Sequence, residues 1–177
     1  MITHTPGTTR PEFHALPFVY ISGSLTCMNE EQREKRRDLY EALADTCVHQ
    51  GLKAYLPHLV SDPTRAASLT PEQVDDLDRE AVVRSLLVVA CVDEPSSGVG
   101  IEIEMAYHAN RPIILVYPHS TRVSRLVLGS PAARLLTPVG YTGIIDAKVQ
   151  LAARLSSFLE KFNDPSRPEL LRLHLLP

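Results

Sequence analysis

The chain has 177 residues, of which 44% are hydrophobic and 22% are charged, values that suit one globular domain with a substantial core. Its net charge of −3 at pH 7 argues against a nucleic-acid polymer as partner, because a phosphate backbone requires clustered positive charge. The three cysteines have no CxxC spacing, which argues against a disulfide framework or a zinc site, and we expect neither a metal nor a cofactor.

The first half of the chain predicts a strand, a helix and a second strand behind a loose arm. Residues 1–16 are rich in Thr, Pro and His and show no signal peptide, so we expect a flexible arm on a cytoplasmic protein. Residues 17–25 predict a buried strand that breaks at Gly23-Ser24, residues 30–50 a helix that Gly51 ends, and residues 52–56 a short strand. The basic run at residues 33–37 is interleaved with acids, which is typical of a solvated helix face.

The second half continues the alternation of helices and strands. The segment at residues 70–73 (TPEQ) has the signature of a capped helix start, and that helix should run to about residue 84. The apolar run at residues 86–92 is typical of a central parallel strand. The remaining predicted elements are a tight loop at 96–100, a helix to about 110, a strand at 112–117, a short helix at 121–128, a strand at 135–141, a helix at 146–162 and a tail at 163–177. No apolar run approaches the length of a bilayer span, so we expect no membrane contact.

This alternation predicts an α/β fold in a single domain at residues 17–162. We expect a flavodoxin-like (Rossmann-like) three-layer sandwich with about five parallel strands and helices on both faces. In such sheets the ligand lies beyond the carboxyl ends of the strands. Functional residues should therefore lie in residues 20–26, 93–102 and 118–124.

The segment at residues 96–102 (SSGVGIE) predicts a glycine-rich turn that opens a helix. Free backbone N–H groups at such a turn favour an anion such as a phosphate. Glu102 is expected in the first turn, where the helix dipole keeps a carboxylate ionised. A glutamate in that position can also be ordinary helix chemistry, and the segment matches neither a dinucleotide fingerprint nor a P-loop.

Two further sets of polar residues are expected at the same edge of the sheet. Tyr20 in the first strand, followed by residues 22–24 (SGS), brings a phenol and two hydroxyls there, although a half-buried strand tyrosine and an ordinary turn would look the same. Asp78 lies on the helix before the central strand, and the chain can return it to the edge that holds Glu102. Acids on a helix are more often solvated, so Asp78 is a candidate on position alone.

Together these residues resemble the nucleoside 2-deoxyribosyltransferase-like family over residues 17–130. The resemblance is carried by residues 20–24 (YISGS), by the position of Asp78, 24 residues before Glu102, and by residues 95–102 (PSSGVGIE). Within the family the chain looks most like the 2′-deoxynucleoside 5′-phosphate N-hydrolases. Members of that branch carry the catalytic glutamate in a similar Pro-Ser-x-Gly-Val-Gly-x-Glu segment.

The resemblance implies a role for each matched residue. Glu102 corresponds to the nucleophile that attacks C1′ of the sugar, Asp78 to the acid that helps the base leave, and Tyr20 to the phenol that positions the nucleophile. His58 corresponds to a histidine near the base pocket. The implied substrate- and phosphate-binding residues are Ser22, Gly23, Ser24, Ser96, Gly98, Gly100 and Ser124, the last supplied by a neighbouring subunit of a homodimer or larger homo-oligomer.

The implied activity is hydrolysis of the base–sugar bond of a (deoxy)nucleoside 5′-monophosphate through a covalent glycosyl-Glu102 intermediate. The transferases usually have an acid where this chain has Ser96, and a neutral Ser96 suits a phosphate better because a carboxylate would repel it. The phosphate hydrolases tend to have an arginine where this chain has Thr26, which weakens the expected phosphate site. Two alternatives stay open: a transferase that exchanges bases between deoxynucleosides, and a non-catalytic nucleotide-binding module.

Overall fold

The computed structural model describes residues 17–26, 28–61 and 68–163. The predicted arm at residues 1–16 and the predicted tail from residue 164 onward lie outside the described residues. The strands are β1 (Phe18–Ser22), β2 (Lys53–Tyr55), β3 (Leu87–Cys91), β4 (Ile113–Pro118) and β5 (Val139–Tyr141). The helices are α1 (Glu30–His49), α2 (Pro71–Arg84), α3 (Ser97–His108), α4 (Arg125–Gly129) and α5 (Ile144–Phe162), with a 3-10 turn at Pro57–Leu59.

The five strands form one parallel sheet in the order β2-β1-β3-β4-β5. This is the flavodoxin-like order, and it confirms the predicted fold class. The order reverses at β1 and β3, which lie side by side in the middle of the sheet with Tyr20 opposite Val88. The carboxyl ends of β1 and β3 therefore form the switch point where a ligand is expected.

Two hydrophobic clusters cover the two faces of the sheet. Val19 and Ile21 of β1 pack in one cluster with residues of α1 and α5, and Phe18 and Tyr20 pack in the other with residues of α2 and α3. Successive side chains of a strand point to opposite faces, so Tyr20 and Ser22 lie on the face that α2 and α3 cover. This alternation decides which helices can meet the polar end of β1. No helix among the described residues is long and apolar enough to cross a membrane.

Side-chain caps fix where α1 and α2 begin. Asn29 and Gln32 form a capping box at α1, and Thr70 and Gln73 form a second one at α2. The predicted start of α2 is thereby confirmed. At the other end of α1, Gly51 takes φ of 78°, which glycine adopts without a Cβ penalty.

Four expectations about local structure were wrong. The glycines at 98 and 100 lie inside α3 rather than in a loop, because the Ser96 side chain caps the helix by accepting from Val99 N at 3.3 Å. Glu102 therefore lies in the second turn, where the helix dipole stabilises a carboxylate less than in the first turn. The short helix and the last strand are also shorter than predicted, at Arg125–Gly129 and Val139–Tyr141.

The basic run on α1 is only in part the solvated face that its composition predicts. Arg37 is buried and bonds Glu30 at 3.0 Å, while Arg33 donates to the carbonyl oxygens of Leu25 and Met28. The two Arg33 bonds tie α1 to the loop after β1. Arginine stems pack along apolar surface while their donors reach backbone oxygens, which sequence interleaving does not reveal.

Candidate active site

The carboxylate of Glu102 accepts two hydrogen bonds from the end of β1. The Tyr20 hydroxyl donates to Oε1 at 2.7 Å, and the Ser22 hydroxyl donates to Oε2. Both donors lie on the α2/α3 face of the strand, two residues apart, so the pleat aims them at the same helix. The two bonds fix the orientation of the carboxylate at the switch point.

Burial and hydrogen bonding have opposite effects on the ionisation of Glu102. Desolvation raises the pKa of Glu102, and the hydrogen bonds from Ser22 and Tyr20 lower it because they stabilise the anion. Burial is the larger effect, so the net pKa of Glu102 lies above its ordinary value. We expected the helix dipole to stabilise the ionised form of Glu102. In the structure, two side-chain hydrogen-bond donors stabilise that form instead.

Asp78 of α2 is the second carboxylate of the site. Burial raises the pKa of Asp78 to about 7, the negative charge of Glu102 adds to this rise, and a hydrogen bond with Tyr20 opposes it. Its Oδ1 atom is buried without a hydrogen-bond partner. An oxygen that lacks donors is a poor site for negative charge, so Asp78 holds its proton more readily than a solvated aspartate.

Tyr55 at the end of β2 belongs to the site, although the sequence analysis did not identify it. Its ring stacks on that of Tyr20 with centroids 5.5 Å apart and planes 19° apart. Burial raises the pKa of the Tyr55 hydroxyl, and the charges of Asp78 and Glu102 raise it further. Tyr55 thus packs on the ring that donates to Glu102 and lies within electrostatic reach of both carboxylates. The parallel pairing of β1 and β2 sets Tyr20 beside Tyr55. Because one sequence does not reveal the register between two strands, the sequence alone could not identify Tyr55.

A cavity of about 540 Å³ brings most of the predicted residues together. Glu102, Asp78 and His58 line it, and Tyr20 lies buried behind Glu102. His58 is buried, with Nε2 3.7 Å from Glu41 Oε1 and its ring 6.1 Å from that of Tyr40. The predicted binding residues in the lining are Gly23, Ser24, Ser96 and Gly98.

The loop after β1 approaches α1 closely at Gly23. A Cβ atom at this position would lie 2.3 Å from the Tyr40 ring, so only glycine fits. The Tyr40 hydroxyl donates to the Ser24 carbonyl oxygen at 2.9 Å and holds the loop in place. The predicted role of Gly23 therefore has a structural component, since it lets Ser24 reach the cavity.

Gly100 and Ser124 lie away from this cavity. Both line a separate cavity of about 370 Å³, to which Ser96 and Val99 also contribute. Ser124 is the residue before α4 and makes no side-chain cap there. Within one subunit, Ser124 does not line the cavity that contains Glu102, although the two cavities share Ser96 and Val99. Among the described residues, no group of three or more His, Cys, Asp or Glu is arranged to hold a metal ion.

Comparison with known proteins places this geometry in a family. No protein-family model matches the sequence. A Methanosarcina barkeri protein with the provisional name 2′-deoxynucleoside 5′-phosphate N-hydrolase 1 is 31% identical over 120 residues, which are 65% of this chain and 70% of that protein. The chain belongs to the nucleoside 2-deoxyribosyltransferase-like family of enzymes.

Solved structures share the fold of this family member. A Clostridium botulinum CMP N-glycosidase has a TM-score of 0.59 at 20% identity, over 76% of this chain and 97% of that one. A Bacillus psychrosaccharolyticus 2-deoxyribosyltransferase has a TM-score of 0.54 at 16% identity, over 73% of this chain and 89% of that one. At these identities the likeness shows the shared fold alone.

Proposed function

We propose that this protein hydrolyses the base–sugar bond of a (deoxy)nucleoside 5′-monophosphate through a covalent glycosyl ester on Glu102. The observation that carries the proposal is the unequal pair of carboxylates in one cavity. Glu102 accepts hydrogen bonds from Tyr20 and Ser22, whereas a buried Asp78 oxygen lacks a donor and the pKa of Asp78 is raised to about 7. One carboxylate is thus suited to be a nucleophile and the other an acid.

In the first step a Glu102 oxygen attacks C1′ of the sugar. The new C–O bond forms as the bond from C1′ to the base nitrogen breaks, and Asp78 gives its proton to the leaving base. Positive charge develops on the sugar in the transition state, where the Glu102 carboxylate stabilises it. The Tyr20 and Ser22 donors limit rotation of that carboxylate, so little ordering remains to be done during attack.

In the second step water resolves the ester. Asp78, now ionised, accepts a proton from the water as its oxygen bonds to C1′, and Glu102 leaves as a carboxylate. The products are the free base and the sugar 5-phosphate, and both carboxylates return to their starting protonation states. The raised pKa of Asp78 suits both roles near neutral pH, because the group can lose and regain a proton there.

Ser24 and Ser96 are proposed to hold the 5′-phosphate, with Gly98 allowing close approach to the backbone. Both serines line the cavity that Glu102 lines, and Ser96 lies at the start of α3, where helix N–H groups favour an anion. Ser22 was predicted as a substrate contact, but its hydroxyl is engaged by Glu102. We therefore assign Ser22 to positioning of the nucleophile and His58 to the side of the cavity that receives the base.

A chromatographic screen of all ribo- and deoxyribonucleoside monophosphates for released base tests the proposal. At least one should yield free base and sugar 5-phosphate, and Glu102→Gln should abolish release while its circular dichroism stays that of the wild type. Trapped glycosyl-enzyme, seen by mass spectrometry as a sugar-phosphate adduct on Glu102, would support the covalent step. Nucleotide that binds without any release of base would instead favour a non-catalytic module.

A transferase is the second candidate function, because the proposed ester can be resolved by a second base instead of water. The relative at 31% identity is named as a hydrolase and a protein that shares this fold is named as a transferase, and the cavity residues named above can serve either reaction. Incubation of a deoxynucleoside with a foreign base distinguishes them. Formation of the new nucleoside, faster than release of free sugar, would overturn hydrolysis as the main reaction.

We also propose that the enzyme is a homodimer in which Ser124 completes the neighbour's phosphate site. Ser124 lies in a different cavity from Glu102 of its own chain. Large apolar side chains of α3 and α4, the helices that contribute to that cavity, are exposed: Leu126 by 86% and Ile101 by 53%. An apolar surface of this kind around α3 and α4 is suited to a self-complementary contact.

A further inference from the structure

A second cavity lies beside the catalytic one, on the other side of the loop that follows β1. Its volume is about 510 Å³, and it is bounded by α1, the segment before α3 and the beginning of α5. Ser24 and Thr26 line both cavities. Thr26 is exposed, so the boundary between the two cavities is open to solvent at this residue. A ligand held at Ser24 can therefore extend from one cavity into the other.

The polar lining of the second cavity comes from one face of α1. Gln32, Lys35 and Arg36 are spaced three and four residues apart, so they share a side of the helix. Arg36 contacts the carboxylates of Asp93 and Glu94, and it fixes the segment that leads to Ser96. Because Asp93 and Glu94 already engage Arg36, Lys35 is the cation of this lining that can turn to an anionic ligand.

The ammonium of Lys35 can exchange its present partner for a phosphate. Its ion pair with Glu31, at 2.7 Å, joins two side chains that are 73% and 77% exposed. Pairs of this kind contribute little to stability because water solvates both groups well. A phosphate with two negative charges offers the ammonium a stronger partner at small cost.

We infer that the substrate class includes nucleoside 5′-diphosphates, with the second phosphate in the cavity at Lys35. The inference rests on the proposed function, which puts the first phosphate at Ser24 and Ser96. The second phosphate then passes Thr26 and meets the α1 face. The volume lies within the range of about 300–1,000 Å³ typical of small-molecule sites, so a group attached to the second phosphate also fits.

The chemistry at C1′ is the same for both substrates. Water adds across the base–sugar bond, and the products from a diphosphate are the free base and the sugar 5-diphosphate. No phosphoanhydride bond is broken. Intact sugar diphosphate among the products therefore shows that the diphosphate itself was cleaved, and not a monophosphate formed from it by loss of the second phosphate.

The test compares the mono- and diphosphate of one nucleoside on the full-length protein. Released base gives kcat/KM for each, and mass spectrometry identifies the sugar product. The diphosphate should be cleaved with kcat/KM at least equal to that of the monophosphate. Lys35→Ala should lower the ratio of diphosphate to monophosphate kcat/KM by about tenfold, as expected for loss of one charge-assisted contact. Lys161→Ala, an exposed lysine in the last turn of α5, is the matched control and should leave the ratio unchanged.

Thr26→Phe tests the passage between the cavities independently of charge. A bulky neutral side chain at the shared boundary should lower the diphosphate ratio in the same direction as Lys35→Ala. Cleavage of the monophosphate with a diphosphate rate more than tenfold lower, or equal effects of Lys35→Ala on both substrates, overturns this inference and leaves the proposed function intact. Base release from neither substrate overturns both.

Discussion

Two carboxylates of the same site differ because their surroundings differ. Both are buried, but Glu102 receives two side-chain donors and Asp78 has a buried oxygen without one. The group with donors ionises first, and its charge then holds the proton on the other. The sequence suggested the roles of Glu102 and Asp78 only through a family resemblance. The different surroundings of the two carboxylates give a physical reason for those proposed roles.

Replacing Glu102 should change the ionisation of Asp78. The charge of Glu102 contributes to the raised pKa of Asp78, so Glu102→Gln should lower the pKa of Asp78 from about 7 toward its ordinary value. An NMR titration of the Asp78 carboxyl carbon measures this directly and needs no turnover. Glu104→Gln, an exposed residue two positions along α3, should leave the titration unchanged. An unaltered Asp78 midpoint in Glu102→Gln would contradict the coupling.

Tyr20→Phe should move the whole pH–rate profile to higher pH. The hydroxyl lowers the pKa of Glu102 and that of Asp78, so its removal raises both. The acid limb requires ionised Glu102 and the alkaline limb requires protonated Asp78, so both limbs move in the same direction. The Phe ring keeps the stack on Tyr55, which separates this effect from repacking.

The control for that variant is Tyr107→Phe, since this hydroxyl lies on the exposed part of α3. Its profile of kcat/KM against pH should coincide with that of the wild type. A Tyr20→Phe profile that is lower in height but unmoved along the pH axis would show that the phenol has no part in tuning the carboxylates.

At the scale of elements, the start of α3 combines a structural and a proposed binding role in one residue. Ser96 caps the helix, which draws both glycines of the segment into the first turn and moves Glu102 to the second. The sequence pattern predicted a loop there because two glycines in three residues are typical of turns. The segment is helical instead, because the Ser96 hydroxyl accepts from Val99 N and starts the helix before the glycines.

Ser96→Asp separates the two roles of this residue. Aspartate caps a helix as well as serine, so the free energy of unfolding should change little. A carboxylate beside the proposed phosphate position should raise KM for monophosphates far more than for the corresponding nucleosides, because like charges repel. Steady-state kinetics on a matched nucleotide and nucleoside measures the difference, and equal losses on both would count against a phosphate site at Ser96.

Two glycines at the sheet edge should respond oppositely to alanine. Gly23→Ala forces a Cβ into the buried Tyr40 ring and should destabilise the protein by about 1–3 kcal/mol, the usual cost of overpacking. Gly100→Ala meets no atom within 4 Å and should stabilise α3 by about 0.5–1 kcal/mol, because alanine loses less backbone entropy. Urea unfolding of both variants measures the pair. A neutral Gly23→Ala would show that the loop after β1 moves freely away from α1.

At the scale of the whole molecule, patterning predicted the fold better than the site. Continuous apolar strands such as β3 and the capped start of α2 predicted the parallel sheet, and the structure confirms the flavodoxin-like order expected for about five strands. The contact between Glu102 and Ser22, the stack of Tyr55 on Tyr20 and the burial of Arg37 depend on which residues meet across elements. A single sequence gives the spacing of residues along the chain but not the contacts between elements. These contacts could therefore be identified only in the structure.

The proposed dimer makes its own prediction, since Ser124 should act on the partner's site. We consider co-expressed subunits, one with Glu102→Gln and native Ser124, the other with Ser124→Ala and native Glu102. A mixed dimer then contains one complete site, built from the native halves of both chains. Its activity should exceed the average of the two parent homodimers, since the first parent has no nucleophile and the second should show about a tenfold loss from one missing phosphate contact.

Should Ser124 instead serve its own chain, the mixed dimer would contain no complete site and its activity would equal the average of the parents. Leu126→Asp introduces a charge into the exposed apolar surface, so it should yield monomers in analytical ultracentrifugation and abolish the complementation. Ser120→Ala in place of Ser124→Ala is the control for the mixing itself: this exposed serine should leave its homodimer fully active, so mixing gains nothing. Restored activity in the Ser124 pair alone would therefore place that hydroxyl across the subunit interface.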